Sequence, residues 1–154
     1  MNNKAAVNFG ELFLKGKNRG KFEQKLIEQI KYALKEFNHV SVYKDSGKVY
    51  VETKNEEDMD KIVEKVRKIF GISNISPSVK TSKDVDIIIE KTIELFRYLL
   101  SKEDIKTFKI KTKRSDKEFP LKSMDFSALV GGKILENFSF VKVDVHTPDV
   151  EVFI

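Results

Sequence analysis

At 154 residues, 40% hydrophobic and 34% charged, the chain has ordinary globular composition and room for one domain or two small ones. No apolar run approaches the roughly 20 residues of a membrane span, and no basic segment with an apolar core follows Met1, so a cytoplasmic protein is expected. Cysteine is absent, which removes disulfides, thiolate metal sites and a cysteine nucleophile, while a net charge of +5 favours an acidic partner.

Ala5 to Leu14 mixes β-branched and aromatic residues and predicts a first strand. Asn18 suits a helix N-cap, after which Phe22, Leu26, Ile30, Ala33, Leu34 and Phe37 recur at helical spacing. Val40 and Val42 alternate with polar neighbours, Asp45-Ser46-Gly47 supplies turn residues, and Val49 and Val51 alternate again; this predicts a hairpin. Asn55 is placed to cap a second helix, with Met59, Ile62, Val63, Val66 and Ile69 on one face and Gly71 at its end. Ile72 to Val79 reads as the last strand. The order βαββαβ is that of a ferredoxin-like domain, whose helices pack on one face of the sheet.

Ser76-Pro77-Ser78 marks a seam, which divides the chain into domains 1–76 and 77–154. A helix is predicted from Val85 to Leu100, with Ile88, Ile89, Ile93, Phe96 and Leu100 in its stripe. In the next strand Phe108, Ile110 and Thr112 face one way and Lys109, Lys111 and Lys113 the other. Ser123 is suited to cap a third helix, with Asp125 in its first turn and Val130, Ile134 and Leu135 on its apolar face. Lys142 to Val145 and Val150 to Ile154 read as strands, and the lack of a closing turn after Ile154 predicts a boundary inside a larger protein. The fold class is α+β, with two α/β domains and the second built of helices on a mixed sheet.

Little in the chain suits catalysis. Gly10-Glu11-Leu12-Phe13-Leu14-Lys15-Gly16-Lys17 looks like a phosphate loop, but five residues separate Gly10 from Gly16 and Asn18 stands where a metal-binding hydroxyl is needed. His39 and His146 lack metal-ligand spacing, Glu11 beside lysines reads as an ion-pair partner, and Ser46-Gly47 is explained by its turn. Two basic segments remain. One holds Lys15, Lys17, Arg19 and Lys21; the other, from Lys106 to Lys122, is interrupted by Phe119-Pro120. Lysine and arginine supply phosphate contacts, and a loop aromatic or an arginine plane can stack on an unpaired base. Phe119 alone reads better as core than as a stacking platform, whereas Lys113-Arg114 beside a helix N-terminus reads better as an RNA contact. Gly131-Gly132 costs about 1 kcal/mol per glycine within a helix, and close helix-to-sheet packing and a ligand explain it equally well.

The stretch GELFLKGKNRGKFE, residues 10–23, resembles the N-terminal motif of the tRNA sulfurtransferases, or tRNA 4-thiouridine synthetases. KTKRSDKEFPLKSMDFSALVGGKILENF, followed by VKVDVHTPDVEVFI, is similar to the THUMP domain of the same family. The resemblance implies a ferredoxin-like domain of residues 1–76 and a THUMP domain of residues 77–154 that lacks its last strand pair. It implies binding of the tRNA acceptor stem and single-stranded 3′ ACCA end, so that a separate ATP-pyrophosphatase domain, using ATP and Mg²⁺, thiolates the uridine at tRNA position 8. By the same resemblance, the RNA-binding residues are Lys15, Lys17, Asn18 and Arg19 in the first motif. In the THUMP motif they are Lys113, Arg114, Lys117, Phe119, Pro120, Gly131, Gly132 and Lys133, and the basic face of the preceding strand adds Lys109 and Lys111 as RNA-binding candidates. No catalytic or metal-binding residue and no cofactor are expected in this chain itself. For the longer protein the resemblance implies 4-thiouridine and thiamine biosynthesis, cysteine desulfurase as sulfur donor and a homodimer. A stand-alone THUMP adaptor that presents tRNA to a separate enzyme is the alternative reading.

Overall fold

The computed structural model describes residues 3–10 and 18–154. Its chain divides into two compact units, residues 1–79 and 80–154.

The first unit contains β1 (Lys4–Phe9), α1 (Arg19–Ala33), β2 (Val40–Asp45), β3 (Lys48–Thr53), α2 (Met59–Arg67) and β4 (Ile72–Pro77), in the expected βαββαβ order. The strands form one antiparallel sheet, β2-β3-β1-β4. Ala5 pairs with Val51, Val7 with Val49 and Val42 with Val51. The period of two therefore gathers these apolar residues on one face. α1 and α2 cover that face with Ile27, Ile30, Leu34, Met59, Ile62 and Val66. Each such burial stabilises the fold by about 1.5–3 kcal/mol before conformational entropy is counted.

Several local expectations shift. Among the described residues β1 runs from Lys4 to Phe9; its register with β4 slips between Asn8 and Phe9, and the Gly10 N–H donates to the Gly71 carbonyl at 3.0 Å. Residues 11–14 of the expected strand lie outside the described residues. The inner face of α1 carries Glu23, Leu26, Ile27 and Ile30, whereas Phe22 is exposed. The stripe is rotated by one residue because the Glu23 carboxylate finds two cations there. Asn18 does occupy the N-cap position of α1, with no side-chain capping bond. Asn55 opens a short 3-10 turn, Glu56–Asp58, and α2 starts only at Met59. α2 stops at Arg67, and Gly71, at φ +96°, is the left-handed residue that leads into β4.

The hairpin turn has positive φ at both Ser46 (+50°) and Gly47 (+81°), the pair of conformations whose twist matches a two-residue hairpin loop. A Cβ at Gly47 would meet nothing within 4 Å, so the cost of Gly47→Ala is conformational alone. We expect this substitution to remove about 1–2 kcal/mol from the first unit, read as a lower urea midpoint at unchanged m-value.

The second unit contains α3 (Val85–Lys102), β5 (Thr107–Lys111), α4 (Ser123–Asn137), β6 (Lys142–Val143) and β7 (Val150–Phe153). β5 is central, with β6 and β7 parallel on either side. Among the described residues of this unit, no antiparallel pair of the anticipated mixed sheet occurs. Asp84 caps α3 by accepting the Ile87 N–H at 3.1 Å. Ile88, Ile89 and Phe96 of α3 and Phe126, Val130 and Ile134 of α4 bury Phe108 of β5, with Phe96 edge-on to Phe108 at 5.4 Å. Leu135 points off this face and is exposed. Lys122, not Ser123, sits at the N-cap of α4, because the extended backbone of the preceding loop persists through residue 122 and Ser123 is already helical. β6 is shorter than expected. Asp144 Oδ1 accepts the N–H groups of His146 and Thr147 at 2.9 and 3.0 Å and turns the chain after Val143. Among the described residues, no helix is long and apolar enough to cross a membrane.

Candidate nucleic-acid interface

The segment from Thr112 to Lys122 leaves the carboxyl end of β5 and enters α4. In sheets of parallel strands this end, beside a helix N-terminus, is where ligands collect. The loop is braced from within. The β5–β7 ladder runs on through Lys113 N–H to the Ile154 carbonyl at 2.8 Å. Arg114 Nη1 donates to the carbonyls of Phe119 (3.4 Å) and Leu121 (3.3 Å), which closes the loop on itself. Asp116 accepts the Glu118 N–H at 3.0 Å and pairs with Lys83 at 2.7 Å. The Lys83 hydrogen bond, followed by the Glu118 N–H, holds the Asp116 carboxyl below its ordinary range. Phe119 packs edge-on to Phe126 at 5.2 Å, and the Thr112 and Ser127 hydroxyls meet at 2.8 Å. Outward, the exposed cations Lys113, Lys117 and Lys122 outnumber the one exposed carboxylate, Glu118, and Pro120 is exposed beside them. Lys122 lends α4 no side-chain cap, and the exposed Asp125 in the first turn partly offsets the positive charge of the helix N-terminus.

The remaining candidates of this unit are mostly engaged. Lys109 Nζ donates to the Val145 carbonyl at 3.4 Å, and Lys111 Nζ lies 5.8 Å from the Phe153 ring. Lys133 pairs with Glu136 one turn along α4 at 3.4 Å. The two glycines part company: a Cβ on Gly131 would come within 3.9 Å of Ile110, whereas Gly132 faces open space. That is ordinary contact distance, so helix-to-sheet packing does not by itself demand glycine at residue 131, which is buried. Gly132 borders a groove of about 350 Å³ lined by Phe108, Ile110, Ala128, Leu135 and Val143. Phe119 is half-buried against the core, the placement its sequence context favoured over a stacking platform.

In the first unit, Lys15, Lys17 and Glu11 lie outside the described residues. Asn18 is exposed at the N-cap of α1. Arg19 Nε donates to Glu23 Oε1 at 3.0 Å, and Lys44 Nζ of β2 donates to Glu23 Oε2 at 2.5 Å. The Lys44 hydrogen bond is the main reason the Glu23 carboxyl is held below its ordinary range; burial opposes it and Arg19 adds to it. Sequence reasoning missed Lys44, and it placed Lys122 in the basic segment without naming it as an RNA contact. The signal for Lys44 was available in the alternation of β2, which puts residue 44 on the helix-covered face with Val40 and Val42. His39, at φ +62°, forms the turn before β2, and His146 belongs to the Asp144 turn, so neither joins these clusters.

Residues 4–76 match the ThiI ferredoxin-like domain and residues 82–154 match the THUMP domain. A probable tRNA sulfurtransferase of Alkaliphilus metalliredigens is 41% identical over 154 residues, covering all of this chain and 39% of that protein. That of Thermoanaerobacter pseudethanolicus is 43% identical over 144 residues, 94% of this chain and 36% of that one. The chain thus spans under two-fifths of the length of these relatives. The crystal structure of a 4-thiouridine synthetase–RNA complex with bound ATP superposes with a TM-score of 0.79 at 29% identity, covering 99% of this chain and 38% of that one. A crystal structure from Pyrococcus horikoshii gives a TM-score of 0.74 at 28% identity, covering 98% of this chain and 50% of that one.

Proposed function

The chain belongs to the tRNA sulfurtransferase family through its ferredoxin-like and THUMP domains, and from that premise we propose that it is the tRNA-binding part of a tRNA 4-thiouridine synthetase. In this reading the second unit holds the single-stranded 3′ ACCA end and the first unit meets the acceptor stem. The uridine at tRNA position 8 is thereby presented to an ATP-pyrophosphatase domain of the longer protein. The observation that carries the reading is the likeness, over 99% of the chain, to a synthetase crystallised with RNA. The local chemistry supports it: the loop that enters α4 carries the exposed cations Lys113, Lys117 and Lys122, which outnumber Glu118 and the first-turn Asp125, and cations of this kind supply phosphate contacts.

Thiolation, ATP, Mg²⁺, the cysteine desulfurase partner and the homodimer enter this proposal with the longer protein. Among the described residues, no three histidines or carboxylates come together to hold a metal ion. A cytoplasmic location is part of the same proposal. The test is binding of an acceptor-stem minihelix followed by fluorescence anisotropy. Log affinity is expected to fall linearly with log salt, and removal of the unpaired 3′ nucleotides is expected to cost about tenfold. Indifference to the 3′ end would sink the role given to the second unit.

A further inference from the structure

Glu23 is an anomaly on the inner face of α1. It is 4% exposed, in a stripe otherwise made of Leu26, Ile27 and Ile30. A buried carboxylate costs several kcal/mol unless it is paired and hydrogen-bonded, and an apolar residue at this position would extend the core. Glu23 is paired twice, and its partners come from different elements: Arg19 from the start of α1, and Lys44 from β2, 21 residues further along. Each oxygen takes one cation. The two cations are themselves half-exposed, at 52% for the Arg19 side chain and 46% for Lys44. Arg19 gives only its Nε to Glu23, so the planar Nη pair of the guanidinium is left for a second partner.

We propose that Glu23 is a positioning residue, whose buried carboxylate fixes Arg19 and Lys44 side by side so that together they clasp one phosphate of the bound RNA. This rests on the reading of the chain as tRNA-binding. Two long, flexible cations each lose rotamer freedom on gripping a phosphate; Glu23 imposes that loss during folding, so less is lost on binding. The lowered pKa of Glu23 is consistent with a permanently charged anchor.

The inference makes a prediction opposite in sign to simple charge counting. Glu23→Gln removes a negative charge beside the cations, so if the cations act only as unpositioned charge, RNA binds more tightly. If Glu23 positions them, binding weakens by roughly five- to tenfold and the salt slope falls by about one. Glu23→Asp keeps the net charge and withdraws the carboxylate by one methylene, so it is expected to weaken binding in the same direction. It also carries the test if Glu23→Gln fails to fold. Minihelix binding is measured for the wild type, both variants, Arg19→Ala, Lys44→Ala and the combinations with Glu23→Gln, each checked for a native circular dichroism spectrum. Sub-additive losses within this set support the clasp. Wild-type binding with Glu23→Gln or folded Glu23→Asp at least as tight as wild type overturns the positioning role alone. A wild type that does not bind the minihelix overturns the tRNA-binding reading and the clasp with it.

Discussion

Replacing Lys113 and Arg114 together by alanine is expected to weaken acceptor-stem minihelix binding by about 10- to 100-fold, from charge-assisted hydrogen bonds of roughly 1.5–3 kcal/mol each offset by partial solvation, and to lower the salt slope by about one to two. The structure separates the two contributions. Lys113 is exposed, and its backbone N–H, which alanine retains, is what holds Ile154. Lys113→Ala should therefore cost affinity and about one unit of slope while leaving stability alone. Arg114 has a different part, because its Nη1 is shared by the Phe119 and Leu121 carbonyls. Arg114→Lys keeps the charge but cannot reproduce a planar fork bridging two carbonyls. It should loosen the loop and lower affinity with little change in slope. An unchanged slope in the double variant would remove both from the interface, leaving Lys113 a solvated charge and Arg114 a brace of the loop.

The difference between these neighbours shows which parts of the molecule were legible in the sequence. Alternation in Val40, Val42, Val49 and Val51, with turn residues between, encodes the β2–β3 hairpin completely, since a strand's face depends only on its own period. The order of the first sheet needed more than this, because β1 pairs with β3 and β4, neither next to it along the chain; only the βαββαβ order of a ferredoxin-like unit implied it. The start of α4 was nearly right, but its cap was displaced by one residue because loop geometry, not side-chain preference, decides where helical backbone begins. Interactions between distant residues were invisible. Nothing local says that Glu23 is buried, because what permits it is Lys44 on another element. Phe22, one position away, took its place in the expected stripe for the same reason. Arg114 likewise looked like a free cation until the chain reversal at Asp116 brought two carbonyls to it. A periodic pattern reports which face is apolar; it cannot report which charge has been satisfied by a partner many residues away.

Phe126→Ala is expected to remove about 3–5 kcal/mol from the second unit, the largest loss we anticipate from one substitution. Phe126 is 1% exposed in the core, where its ring receives the edge of Phe119. The substitution deletes its buried area, opens a cavity, and forfeits a pair worth about 0.5–1.5 kcal/mol beyond area. A denaturant titration should show a lower midpoint for this unit. The companion variant Phe119→Leu distinguishes two roles for the loop aromatic. If the ring is a core anchor, as its packing indicates, this variant lowers stability by roughly 1–2 kcal/mol and leaves the RNA affinity of the folded protein within about twofold. If the ring stacks on an unpaired base, the order reverses: stability holds and affinity falls by the roughly 1–3 kcal/mol of one stacking contact. The packing favours the first outcome, because Phe119 is partly buried against the core cluster that holds Phe126. The loop then meets RNA through the exposed Lys113, Lys117 and Lys122 and the N–H groups at the start of α4, with Phe119 holding those groups in place from behind.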